Sequence, residues 1–354
     1  MQARKRHLLL SLLCMAIAVI SVLILMIFTT NSDSRKGDFK RNFISKTPVL
    51  LYHSKKMNGL RAICGIQENH IYFESDSAGS IIETDSTLSN KRLLNFEIPG
   101  KKTVQSLYTT FIDSSYCYIM AGNVPEIIRY HLDGFSYQIF HFPRNLFSES
   151  VMAGDNGYIL RAYQKSKGRW DQVFIRWNPI KNIFLTEENV PEKRGDAGFS
   201  TDGMLLFDKS TNRILYVEYY SNQIICMDTL LHVLYKGQTI GTFSNTAISI
   251  SYETTHYSKT ITNGSPLHEI NLKSKAVNGK LYIHSAILAK NESSTEFRNN
   301  AVIDIYRVSD GHYLGSFYIP EYNDERLKDF EVTADKIIVL YDHYVTVCSL
   351  PFNL

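Results

Sequence analysis

A chain of 354 residues with 44% hydrophobic content is long enough for one large core or two ordinary ones. Its 38 basic and 35 acidic residues, a formal net charge of +3, give no sign of the basic stripe that a nucleic-acid binder needs to neutralise phosphates, so no nucleic-acid partner is expected. Aromatic residues make up 12%, carried by 22 Tyr and 19 Phe but only 2 Trp. That composition suits pleated, half-buried strands, so the expected class is all-β.

In chain order, residues 1–7 carry Arg4, Lys5 and Arg6 and are expected to be a cytoplasmic N-terminus. Residues 8–28, LLLSLLCMAIAVISVLILMIF, form an uncharged apolar run whose length as a helix matches a hydrocarbon core of about 30 Å. A cleavable signal peptide has a shorter apolar region ending in a small-x-small site, and Phe28, Thr29, Thr30, Asn31 offer none. An uncleaved transmembrane signal anchor is therefore expected. Leu13 stands before Cys14 where a lipobox wants Gly, Ala or Ser, so Cys14 is expected to be unmodified. Basic residues on the two sides of the run nearly balance. Long domains translocate largely regardless of charge, and the globular part is expected outside the cytoplasm, in the periplasm. Residues 29–47 are polar and mixed in charge and are expected to be a linker, its charges solvated or, from Arg35 to Arg41, lying against anionic headgroups.

Residues 48–354 are expected to be one β domain. Short apolar runs divided by turn residues recur as RAICGI, HIYFES, SIIETD and KRLLNFEIP over 61–99, and a second copy fills 104–143. A third begins near Ser150, a fourth runs from Thr201 to Ile240, a fifth holds KAVNGKLYIHSAIL, AVIDIYRVSDG and HYLGSFYIP, and a last one stops after three strands. Three features recur in register. The first turn is Asn-Gly or similar, at Asn156-Gly157, Asn278-Gly279, Ala334-Asp335 and Ser114-Ser115, as tight hairpins require. The third strand ends on Asp85, Asp133, Asn178, Asp228 or Asp310, side chains able to bond their own turn. The fourth ends aromatic-x-apolar-Pro at Pro99, Pro143 and Pro320, which terminates pairing.

Four-stranded units that cannot bury their faces alone can pack radially, giving a β-propeller. Six blades are expected, with Pro48 to Ser54 supplying the strand that the last blade lacks and so closing the ring. Residues 241–274 are expected as an insertion in or after the fourth blade, or as material for a seventh. A β-sandwich would share the alternation but not the recurring turn positions.

The segments TDGML, YSNQIICMDTLLHVLYKGQTI and VIDIYRVSDGHYLGSFYIP resemble those of bacterial six-bladed propellers of the TolB-like and NHL-like kind, most nearly membrane-anchored propeller-like proteins of Bacteroidota. The likeness covers roughly Leu50 to the C-terminus. It implies the fold and at most a weak link to envelope redox chemistry, and it supplies no catalytic residues. The repeated WD dipeptide, the kelch double glycine and the sialidase Asp-box are missing.

No catalytic, cofactor-binding or metal motif stands out. Cys64, Cys117, Cys226 and Cys348 fall in four blades without a C-x-x-C pair, and each is expected as a small buried hydrophobe. His343, between Asp342 and Tyr344, and the pair His131 and His141 are mild ligand candidates, with surface roles favoured. Asp324-Glu325 is expected to solvate its loop, and Trp170 and Trp177 to pack. The glycines of GDNG at 154–157 are explained by a hairpin. Asn263 and Asn291 match glycosylation sequons, relevant only in a eukaryotic secretory pathway. The expected function is a non-catalytic scaffold, held to the membrane by its N-terminal helix, that binds an envelope protein or a small ligand on its ring face, with neither cofactor nor metal. The alternative is a hydrolase or redox-associated enzyme whose site is assembled from blade loops.

Overall fold

The structure is a computed structural model that describes residues 13–22, 35–45 and 51–350, apart from 78, 97, 99–107, 123, 133–135, 145, 155–156, 167–168, 195, 242–249, 255–258 and 264–267. Six antiparallel sheets form a propeller. Blade 1 covers residues 60–95, blade 2 108–141, blade 3 147–187 and blade 4 203–238, each with four strands in sequence order. Blade 5 covers 271–320 and blade 6 covers 329–349. The first strands of blades 1 and 2, 3 and 4, 4 and 5, 5 and 6, and 6 and 1 lie against each other and form the inner ring.

The buried residues explain why these sheets need one another. They fall into six clusters, one for each interface between neighbouring blades. Because side chains alternate along a strand, each blade feeds two clusters: Cys117, Ile119 and Ala121 of blade 2 pack on blade 1, while Tyr118 and Met120 pack on blade 3. In blade 6, Ile337 and Val339 face blade 5, and Ile338 and Leu340 face blade 1. A strand buried on both faces reads as a continuous apolar run, which is what YCYIMA and KIIVL are.

The ring closes as its pattern implied. Leu51–Lys56 pairs antiparallel with Tyr344–Ser349, Ser54 opposite Thr346, and completes blade 6 as its outermost strand. The insertion expected after blade 4 is a separate hairpin, Ile250–Thr254 with Lys259–Asn263. Turn chemistry is mostly as read. Asn278 and Gly279 both have positive φ, 52° and 74°, and Asp85, Asn178, Asp228 and Asp310 each accept backbone N–H groups of their own turns. Asn156, Asp133 and Pro99 lie outside the described residues. Ala334-Asp335 is a correction: neither residue is left-handed, and the Thr333 hydroxyl organises this turn by accepting the Lys336 N–H at 3.0 Å.

Of the two N-terminal expectations, the anchor falls largely outside the described residues and the linker needs revision. Of the apolar run 8–28, residues 13–22 are described and helical, and no described helix is long and apolar enough to cross a membrane. The linker expected over 29–47 is not free where it is described. Arg35–Lys36 pairs with Ile287–Leu288, and Phe43–Ser45 adds a fifth, parallel strand to blade 5 beside its outermost strand. Gly315 makes room for it, since a Cβ there would come within 2.5 Å of the Ile44 side chain. Between these strands Arg41 is 3% exposed. Its Nε and Nη2 donate to the Asp304 carboxylate at 2.8 and 3.1 Å, its Nη2 also to Ser285 Oγ at 2.8 Å, and its Nη1 to the Ile287 carbonyl at 2.8 Å and to Glu292. A polar, basic segment reads as a tether because the buried Arg41 side chain finds its partners some 250 residues away.

Candidate functional site

Four antiparallel strands return the chain to the ring face from which the blade began. Every link from an outermost strand to the next innermost strand therefore lies on that entry face. The long segments are all there: 188–202, 239–270 and, between the second and third strands of blade 5, the stretch carrying the short helix Ser294–Asn299. The opposite, exit face carries tight turns such as 68–69, 114–115 and 278–279.

Buried and half-buried polar contacts brace the blades against one another. Arg61 donates to Glu74 at 2.7 Å, and Glu74 also accepts the Thr110 hydroxyl at 2.8 Å, tying blade 1 to blade 2. Arg161, fully buried, lies between the rings of Phe174 and Tyr216, 5.1 and 4.9 Å from their centroids. It donates to Gln172 and to the Thr201 hydroxyl at 2.8 and 3.0 Å, joining blade 3 to the 188–202 segment. Asn271 donates to the carbonyls of Glu218 and Ser221, at 2.7 and 3.0 Å, joining blades 4 and 5.

The innermost strands carry charged side chains. On that of blade 3, Glu149 is closely surrounded by protein but keeps partial exposure. Burial, then the charge of Asp202, holds its carboxyl up to about 8, against the opposing pull of Lys273. Asp202 and Glu218 are raised as well, chiefly by burial, with Arg161 opposing in both cases. Lys275 lies 2.9 Å from Glu331 and 3.9 Å from Asp329. Burial works against its charge, but those two carboxylates outweigh it and raise the ammonium pKa. Glu149, Lys273 and Lys275 are charges set within first-strand sequence, a signal by which these positions could have been singled out.

On the exit face, a cleft of about 490 Å³ on blade 1 is polar, lined by His70, Glu83 and Arg92 among others. A larger cleft of about 580 Å³ spans blades 2, 3 and 4. Its apolar wall is Tyr116, Met152, Ile180 and Phe207, and its polar wall includes Asp113, Lys209 and Asn212. The ammonium of Lys209 and the carboxylate of Asp113 are paired across it, from blade 4 to blade 2. Phe111 stacks on Tyr118 at 4.6 Å, and Arg129 lies 4.8 Å over the Tyr116 ring, so the aromatic wall is fixed. The cleft is open to solvent and mixed in lining, with an apolar wall facing a charged one.

The candidates singled out by sequence are dispersed. His343 Nδ1 lies 2.7 Å from Glu325, so this pair joins two turns, and Glu325 is more than a solvating side chain. His131 meets Tyr116 edge-on at 5.1 Å, while His141 lies 3.0 Å from Glu126, five positions away along the blade. Among the described residues no group of three His, Cys, Asp or Glu side chains could hold a metal. Cys64, Cys117, Cys226 and Cys348 are free and buried, and Cys14 is free and exposed on its helix. Trp177 packs against Phe142 at 5.3 Å, whereas Trp170, expected to pack, is 43% exposed.

No protein-family model and no curated protein matches the sequence. In structure, the chain is similar to a member of the DUF4221 family from Bacteroides vulgatus, with a TM-score of 0.51 at 11% identity over 88% of this chain and 98% of that one. It is also similar to a streptogramin B lyase, with a TM-score of 0.47 at 11% identity over 83% and 96% of the two chains. A third is the WD40 domain of Neurospora crassa Pan2, at 0.48 and 8% over 88% and 98%. At these identities the likeness is one of fold.

Proposed function

We propose that this chain is a membrane-anchored, extracytoplasmic propeller that binds a small ligand on its ring face and does not transform it. The observation that carries binding is the cleft of about 580 Å³ shared by blades 2, 3 and 4, where a fixed aromatic wall faces the Lys209–Asp113 pair. Flat apolar surface can hold the body of a small polar molecule, and the ion pair and Asn212 can orient its polar groups. The membrane address is supported by the apolar run at 8–28. On its described helix Leu13, Met15, Ile17, Val19, Ile20 and Val22 are each 54–65% exposed, an apolar surface left open among the described residues.

The test is a thermal-shift screen of the full chain in detergent against small polar metabolites, sugars and organic acids included. At least one compound is expected to stabilise the protein, and Phe207→Ala and Lys209→Ala are each expected to remove that shift, read against each variant's own unliganded melting point. A screen with no hit, or hits indifferent to both substitutions, overturns the proposal.

One observation favours a second reading. A carboxyl held up to about 8 beside a second raised carboxyl is the arrangement of a general acid and its partner. Turnover of any compound that Glu149→Gln abolishes, with binding retained, would make the protein an enzyme working at Glu149.

A further inference from the structure

We propose that residues 35–45 are a rigid mount which holds the rim of blade 5 toward the bilayer. This rests on the anchor reading given above. A polar stretch after a membrane helix ordinarily leaves its domain free to turn. Here it is fastened at three points along its length. Arg35–Lys36 continues into the sheet hydrogen bonding of Ile287–Leu288, with Gly37 donating to the Leu288 carbonyl at 2.8 Å. Arg41 is sunk between Asp304 and Glu292, and its own backbone is held by Asn291, which accepts from the Arg41 N–H and donates to the Arg41 carbonyl, both at 2.9 Å. Phe43–Ser45 then joins the blade, with Phe43 stacked on Tyr318 at 4.6 Å.

The partners are themselves fixed. Glu292 accepts the Ala289 N–H at 2.7 Å and the Tyr318 hydroxyl at 2.8 Å, and Asp304 accepts the Ser316 hydroxyl. Each charge in the cluster is therefore held from more than one side, a preorganised socket rather than a chance ion pair. Only seven peptide steps separate Phe28, the last residue of the apolar run, from Arg35. Fully extended, they reach at most about 25 Å. The point on blade 5 where Arg35 is fastened must then stay within that distance of the bilayer surface, which keeps this rim, rather than the opposite one, next to the lipid.

The surface around the mount fits a lipid partner. Lys36, Lys40 and Arg298 are exposed, and Lys290 is half-exposed and paired with Asp38; Asp38 and Glu296 are the acidic side chains among them. Basic side chains beside a membrane segment are drawn to anionic headgroups. Blade 2 is three blades from blade 5 in a ring of six, so the cleft on blades 2 to 4 lies toward the side away from the lipid, open to solutes.

The experiment uses the full chain in vesicles of phosphatidylcholine and phosphatidylglycerol with acceptor-labelled headgroups. With Cys14→Ser, the four remaining cysteines are buried, so a donor dye can be placed selectively at Thr295→Cys on the blade 5 helix or at Tyr137→Cys on the outer strand of blade 2. Flotation with the vesicles is read first: failure to float refutes the anchor and the mount with it. If the protein floats, energy transfer from position 295 is expected to exceed that from 137 several-fold. Equal transfer from the two positions in a floating protein overturns the mount and leaves the anchor standing.

Discussion

Replacing Arg41 with Ala is the most severe single change this fold can be offered at its N-terminus. The side chain is fully buried, as is that of Glu292, and the Asp304 side chain is 4% exposed. Burial disfavours the guanidinium charge, yet Asp304 and Glu292 together raise its pKa above the ordinary value. Removing it leaves two carboxylates in a dry socket with only Ser316, Tyr318 and the Ala289 N–H to answer them. Breaking a buried ion pair from one side costs about 3–5 kcal/mol, because the orphaned charge stays behind. For a domain of this size each kcal/mol is worth about 2–4 °C, so the melting point should fall by about 6–20 °C. Thermal unfolding followed by circular dichroism measures it. Arg41→Met combined with Asp304→Asn and Glu292→Gln should recover most of the loss, since neutral partners need no counter-charge. A shift below about 2 °C for Arg41→Ala would refute the reasoning, because it would put the socket's net contribution near that of a solvent-exposed pair.

Three further outcomes are expected. Glu149 has a folded pKa near 8, above its value in an unfolded chain, so the folded state binds the extra proton and stability falls as pH rises from about 4.5 to 8. Glu149→Gln should remove that slope and leave the variant the more stable protein at pH 8 and above; melting points across this range check it, and parallel curves would contradict it. Gly315→Val should push against Ile44 and lift the 43–45 strand from blade 5, since even a Cβ would meet Ile44 at 2.5 Å; a loss of about 1–3 kcal/mol in urea unfolding is expected, with new protease cleavage between residues 36 and 51. Burial raises the thiol pKa of Cys64, Cys117, Cys226 and Cys348, to about 11 for Cys226, so in the Cys14→Ser chain a thiol reagent at pH 8 should count no cysteine in the native protein and four in denaturant.

The ring was legible because each blade is buried on both faces and punctuated by the same turns. HIYFES, SIIETD and their counterparts look alike since each fills the same place between two neighbours, and the Asp or Asn at the third strand's end bonds its own turn in four blades. The orphan strand 51–56 was legible by subtraction, the last repeat having only three. Long-range polar contacts were not. Arg41 looks like every other basic residue between 35 and 46, and nothing local marks Asp304, inside the apolar VIDIY, as its partner. Arg161 is similar, a charge amid YILRAY whose shelter is two aromatic rings from different blades. The exit-face cleft joins Asp113, Met152 and Phe207 from three repeats, so no sequence window contains it.

Hydrogen exchange of the amides of residues 51–56 in the intact chain tests the closed ring most directly. If this strand completes blade 6, its amides facing Tyr344–Ser349 exchange orders of magnitude more slowly than unstructured peptide and lose protection together with 344–349 as urea is raised. Exchange of 51–56 at the free-peptide rate, with 344–349 still protected, would contradict it.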